Sequence, residues 1–243
     1  MTIKYLPLVV LLLGAGAGCR LADPGIGIGV EDVLTLTTSR DTILADGRDA
    51  LVVTATLGEA ALSNQEVVFR TEQGRYAIAG GFPDSDGGQR LALTTSGRTA
   101  TALLIADRLP NDRVTISATV GDFTAIRTVH FARSYPTELL VTVDDPVVQA
   151  VQGARTELQV QLLRPLDQGQ VSEGTRVSFS TGDPIDTLQP MVQLPPFAFA
   201  EDDVLRVPLT FVSRGGQLTV LAQVRNPNGN LLASGSVVVL FVE

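Results

Sequence analysis

Cysteine is nearly missing from this chain. Cys19 is the only one among 243 residues, so no intramolecular disulfide can form. Histidine is equally scarce, with His130 alone, so a zinc site of cysteine and histidine ligands is excluded. The same scarcity limits catalysis. A nucleophile activated by imidazole would have to use His130, and no nucleophile elbow surrounds it. Tryptophan is absent and tyrosine occurs three times, which disfavours the flat aromatic platforms of carbohydrate sites. Lysine occurs only at Lys4, and all other cationic side chains are arginine. The formal net charge is -8, so nucleic acid is not an expected partner. No amphipathic helix pattern of useful length is found.

What is present is alternation. In Leu44–Leu57 (LADGRDALVVTATL), a turn at Ala45-Asp46-Gly47 leads into Leu51, Val53, Ala55 and Leu57, with Val52, Thr54 and Thr56 between them. Period two with β-branched residues marks a strand with one buried face. A weaker copy lies at Ala150–Leu163, with Leu158, Val160 and Leu162 inward and Glu157, Gln159 and Gln161 outward. Glycine (23) and proline (13) fall mostly between apolar runs, where turns belong. The length suits two domains of ~100 residues, each with its own core.

The start of the chain has a different character. Lys4 precedes the apolar Leu6–Leu13, then the small residues Gly14–Gly18, then Cys19. This is a signal-peptide pattern, too short for a spanning helix. With Cys19 directly after it, the segment resembles a bacterial lipoprotein signal, which implies lipidation of Cys19 and a membrane anchor. It departs from that pattern at Gly16, where leucine is usual. Ordinary cleavage after Ala15-Gly16-Ala17 is the alternative, leaving a free thiol. Residues 1–18 are thus expected as signal peptide and 19–30 as a tether. The GxGxG run Gly25–Gly29 has no expected helix after it to bind phosphate.

Residues 31–133 are expected as a first sandwich. Its strands are Val33–Thr37, Leu51–Leu57, Glu66–Arg70, Arg90–Thr94, Arg98–Ile105, Arg113–Val120 and Phe123–Phe131, with Gly74–Gly88 as a glycine-rich excursion. Ala45-Asp46-Gly47, VVTATL, VVFR with Gly74, TTSGRTATALL and VTISATVG, in this order, resemble the bacterial Ig-like domains of invasin and intimin. Thr94–Ala100 approximates that family's Thr-x-x-Gly-x-Ala element. The Gly-x-Pro turn before the third strand is replaced by Ala61–Gln65. The resemblance implies an all-β fold of two tandem Ig-like β-sandwiches, acting as display or adhesion modules without enzymatic activity.

Residues 134–243 repeat the scheme. Phe179 matches Phe69, and TVLAQV from Thr219 matches TISATV from Thr115, at a spacing of roughly 105 to 110 residues. Pro136 stiffens the connection Ala132–Thr137. The prolines of Gly182–Asp203 demote that stretch to a loop or edge segment. Ser236–Val242 is apolar on both faces. Its outer face either packs under this proline-rich loop or meets another protein.

No catalytic, metal or cofactor site emerges. Asp84-Ser85-Asp86-Gly87-Gly88 is a partial calcium loop without the closing glutamate. Glu201-Asp202-Asp203 and Asp144-Asp145 are expected as loop charges, and His130 as an outward strand residue. Phe197 and Phe199 share parity and are expected in the second core, with a binding loop as the alternative. Candidate contact positions are Asp84, Asp86, Phe197 and Phe199. The expected function is a lipid-anchored envelope module, in the outer membrane, that spaces and contacts another envelope or surface protein. A calcium- or carbohydrate-binding module is the alternative.

Overall fold

Alternation in sequence becomes alternation in burial. Leu51, Val53, Ala55 and Leu57 are buried while Val52 and Thr56 are exposed, and the same holds for Leu158, Val160 and Leu162. The computed structural model describes residues 29–80, 88–182, 192–213 and 215–243.

A one-turn helix α1 (Val30–Val33) leads into β1 (Leu34–Thr38), β2 (Thr42–Ala45), β3 (Ala50–Leu57), β4 (Glu66–Thr71), β5 (Arg75–Ile78), β6 (Arg90–Thr94), β7 (Thr99–Ile105), β8 (Asn111–Val120) and β9 (Phe123–Arg133). A four-stranded sheet, β1-β3-β7-β5, faces a five-stranded sheet, β2-β9-β8-β4-β6. Then come β10 (Glu138–Val143), β11 (Val147–Gln149), β12 (Arg155–Leu163), β13 (Thr175–Thr181), β14 (Val192–Gln193), β15 (Phe197–Ala200), β16 (Val204–Phe211), β17 (Gly216–Arg225) and β18 (Leu231–Val242). Their sheets, β10-β12-β16-β14 and β11-β18-β17-β13-β15, repeat the first pair strand for strand.

In both sandwiches the chain changes sheets after its first strand and pairs in parallel with the last one, β2 with β9 and β11 with β18. The repeat extends to single contacts. Phe69 lies opposite Ala118, and Phe179 lies opposite Ala222. Among the described residues there are two buried apolar clusters, one drawn from Val33–Phe131 and one from Leu139–Phe241. The fold is all-β and Ig-like.

Several expectations need correction. Val33 ends the short helix, which follows Gly29 directly, so the GxGxG run does meet a helix turn. The Gly29 amide donates to the Asp32 carboxylate at 3.0 Å, so the turn caps itself. The close approach of α1 to Gly58 explains that glycine. A Cβ there would lie 1.9 Å from the Asp32 carbonyl oxygen. Strand β2 leads into the expected turn at Asp46-Gly47 from a stretch where no strand was expected, and β5 falls within the expected glycine-rich excursion. In β5 the adjacent Tyr76 and Ala77 are both buried, so no alternation betrays it. The proline-rich segment, expected as a loop or edge segment, supplies two edge strands, β14 and β15, in agreement with the second of these. The outer face of β18 is open, with Val238 and Leu240 at 47% and 41% exposure beside Val147 of β11. Of the proline-rich stretch, residues 183–191 lie outside the described residues, and β15 extends the opposite edge of the same sheet.

Burial has a titration consequence. Tyr76 is fully buried, with its ring centroid 5.7 Å from Phe69 and its hydroxyl donating to the Arg70 carbonyl at 3.3 Å. Burial pushes its phenol well above the ordinary value of 10.0. The folded state therefore holds this proton longer than the unfolded state. The associated stability is fully present below pH 10 and is lost as pH rises beyond it. Denaturant unfolding should show wild type losing about 1.4 kcal/mol per pH unit above 10 relative to Tyr76→Phe. Parallel curves for the two proteins would contradict this.

Candidate functional site: an arginine–phenylalanine groove beside a hydrogen-bonded junction

The segment between β12 and β13 lies against the end of the first sandwich. The Gln170 amide donates to the Asp46 carbonyl at 2.9 Å, and the Glu173 amide to the Arg108 carbonyl at 2.8 Å. Ser172 is buried, accepts from the Ser134 amide at 2.8 Å and donates to the Ala45 carbonyl. Arg108 crosses the junction. Its Nε donates to the Val171 carbonyl at 3.0 Å and its Nη2 to Asp203 at 2.8 Å. Gly169 fits only without a side chain. Its φ is +74°, and a Cβ would lie 2.6 Å from the Asp46 Cγ. The connection through Pro136 is thus reinforced by polar contacts made on both sides of it.

Next to this junction, on the outer face of the second five-stranded sheet, is the most distinctive surface of the molecule. The edge strand β15 turns Ala200 into the core and Phe197 and Phe199 outward, at 40% and 55% exposure. This corrects the expected burial of the two phenylalanines. Their shared parity holds, but the alanines take the inner face, because Ala198 lies opposite Val177 and Ala200 opposite Thr175. The two rings meet edge-to-face at 5.6 Å. The Arg176 guanidinium sits 4.2 Å from the Phe197 centroid, a cation–π contact.

Phe199, Tyr135, Arg133, Arg176 and Arg225 line a groove of about 560 Å³, together with residues of the turn at Asn226–Gly229. Arg133 donates to the Glu173 carbonyl at 2.8 Å, and Arg225 to the Gly229 carbonyl at 2.9 Å and Gln223 Oε1 at 3.1 Å. These acceptors are neutral. Among the described residues none of the three guanidiniums pairs with a carboxylate, whereas Arg40, Arg108 and Arg127 pair with Asp49, Asp203 and Asp41. The Asp41 carboxyl is held below its ordinary range by its hydrogen bonds from Arg127 and Thr38.

The other sequence candidates fall elsewhere. Cys19, Asp84 and Asp86 lie outside the described residues. His130 points outward from β9 with its Nε2 2.9 Å from Asp112. Asp203 and Asp202 face Arg108, so they serve the junction. Asp144 accepts from Gln159 at 2.7 Å. Among the described residues no three potential ligand side chains gather to hold a metal ion. No described helix is long and apolar enough to cross a membrane. The groove itself was invisible in sequence, since its arginines lie on distant strands.

Strand order, the parallel closing strands and paired sheets define a tandem Ig-like β-sandwich fold. No family model matches the chain, and no curated protein sequence matches it. Among solved structures it is similar to the adhesin InvE of Yersinia pseudotuberculosis, with TM-score 0.58 and 19% identity over 88% of this chain and 59% of that one. It is also similar to invasin, a bacterial integrin-binding protein, with TM-score 0.59 and 21% identity over 87% of this chain and 40% of that one. The chain therefore spans about half the length of these structures. At such identities the likeness is one of fold.

Proposed function

We propose that this protein is a non-enzymatic, lipid-anchored module of the bacterial cell envelope whose paired Ig-like sandwiches act as spacer and as protein-contact surface. The hydrogen-bonded junction carries this reading. A module that presents a surface at a distance must resist bending, and Arg108, Ser134 and Ser172 tie the sandwiches at several points. The adhesin fold supports a protein partner. The exposed side chains of Phe199, Val238 and Leu240 supply apolar contact area. Anchoring at Cys19 rests on the signal pattern, and attached acyl chains contribute ~0.8 kcal/mol per buried methylene. The calcium alternative is weakened by the pairing of Asp203 with Arg108.

Two measurements test the proposal. Cys19→Ser should move the protein from the membrane pellet to the soluble fraction and abolish metabolic palmitate labelling. A membrane-bound Cys19→Ser protein would refute the lipid anchor. A photoreactive phenylalanine analogue at Phe199 or at Leu240, introduced in intact cells, should give discrete protein adducts. No adduct at either position would remove the contact function.

A further inference from the structure

We propose that the free edge of β15 pairs with the same edge of a second copy of this chain, antiparallel about a two-fold axis at Ala198. This rests on the protein-contact reading and names the partner. Three observations carry it. The first is the edge itself. β15 ends its five-stranded sheet, with β13 on its other side. The Pro196 carbonyl accepts from the Phe179 amide at 2.9 Å on that side. Alternation along the ladder then turns the amides and carbonyls of Phe197 and Phe199 away from β13. Such an edge accepts a further strand through main-chain hydrogen bonds.

The second observation is symmetry. A closed two-fold contact needs a surface that complements itself. Phe197-Ala198-Phe199 reads the same in both directions. With Ala198 opposite its own copy, Phe197 lies opposite Phe199 of the second copy. Residues so opposed exchange both main-chain hydrogen bonds. The axis repeats the exchange, so every outward main-chain group of Phe197 and Phe199 is used. Pro195, the next position whose nitrogen would face outward, has no amide hydrogen, so the pairing stops there.

The third is the pair of exposed rings, which share one face and meet edge-to-face. In the pairing, Phe197 of one copy stands beside Phe199 of the other, and the rings of both copies form one row. Cross-strand aromatic pairs of this kind stabilise sheets. The first sandwich supplies the contrast. β6 holds the place in its sheet that β15 holds in the second. Its exposed positions are Arg90, Ala92 and Thr94, and Arg90 lies opposite Arg70. Charge on an edge strand opposes pairing with another chain. On β15 the same positions carry phenylalanine.

The pairing also has a direction. Asp203, just past β15, meets Arg108, so β15 runs toward the first sandwich. Antiparallel pairing reverses this in the second copy, and the two first sandwiches point opposite ways. With anchors at Cys19, the contact joins copies on facing surfaces.

The test is sedimentation velocity of the full chain in detergent micelles. Wild type should pass from monomer to dimer with Kd on the order of 100 µM, the weak range of a short strand pair. Phe199→Lys and Phe197→Glu, both at exposed positions, should each weaken the dimer at least about tenfold with unchanged circular dichroism spectra. Mixed together, these two variants should associate again, because the register sets their opposite charges face to face. A mixture of Phe199→Lys and Phe199→Glu lacks that opposition and should stay weak. Hydrogen exchange at the Phe197 and Phe199 amides should slow as concentration rises. A chain that stays monomeric at about 1 mM would overturn the proposal. So would a dimer indifferent to Phe199→Lys, or one that dissociates only with Leu240→Lys. In cells, a photoreactive analogue at Phe199 should give an adduct of this chain with itself. Adducts with other proteins only, from a chain that is monomeric when pure, would refute this inference and leave the contact function standing.

Discussion

Phe69→Ala is expected to melt the first sandwich well ahead of the second. Phe69 is fully buried on β4, opposite Leu91 on one side and Ala118 on the other, and close to the Tyr76 ring. The small Ala118 leaves room for the ring, so truncation opens a void that alanine neighbours cannot fill. Phenylalanine-to-alanine changes in cores cost about 3–5 kcal/mol. For a domain of this size each kcal/mol lowers Tm by about 4–8 °C, so a fall of about 12–40 °C is expected. The apolar interiors are two separate clusters. Calorimetry should therefore resolve two transitions, the lower one from the damaged sandwich. Phe179→Ala, opposite Ala222 in the second sandwich, should reverse the order. A fall of less than 5 °C in one unsplit transition would contradict both the burial and the independence of the cores.

The two phenylalanines also show which features of the fold a linear reading can reach. Each sits in an alternating run, and each run is followed at a similar distance by its alanine-bearing partner strand. Period two locates strands such as β3, β8 and β12, because one face of each is dry and the other wet. It fails for β5, where Tyr76 and Ala77 are both buried. It fails differently at Phe197 and Phe199. Parity places them on one side, but which side is dry depends on what β13 presents across the ladder. Small alanines facing the core let the large rings face out, and no local pattern encodes that. For Ser236–Val242 the apolar outer face suggested a cover, yet β15 runs along the far edge of the sheet. The groove arginines come from three elements joined only by the fold. Arg133 ends β9, Arg176 is the second residue of β13 and Arg225 ends β17.

Asp46→Ala is expected to be the most damaging single change at the junction. The side chain is nearly buried and does two jobs. Its Oδ1 accepts from the Arg48 and Asp49 amides at 2.9 and 2.6 Å, which fixes the turn into β3. Its Oδ2 lies 3.9 Å from Arg164 Nη1, and the two side chains are 4% and 9% exposed. Arg164 Nε finds no hydrogen-bond partner among the described residues, so Asp46 is its main electrostatic compensation. Removing one member of a buried pair strands the other charge, at a cost of ~3–5 kcal/mol. The separation of 3.9 Å is too long for a hydrogen bond, which favours the lower end for this component. The two stranded amides add ~1 kcal/mol each. Asp46→Asn separates these contributions, since an amide oxygen still caps the turn while the charge is lost. Asparagine should cost clearly less than alanine in denaturant unfolding. Both variants should broaden the distribution of interdomain distances in small-angle scattering, because the Asp46 carbonyl and Gln170 amide meet across the same junction. An alanine variant within 1 kcal/mol of wild type, with unchanged scattering, would show that the buried carboxylate neither holds the turn nor braces the two sandwiches.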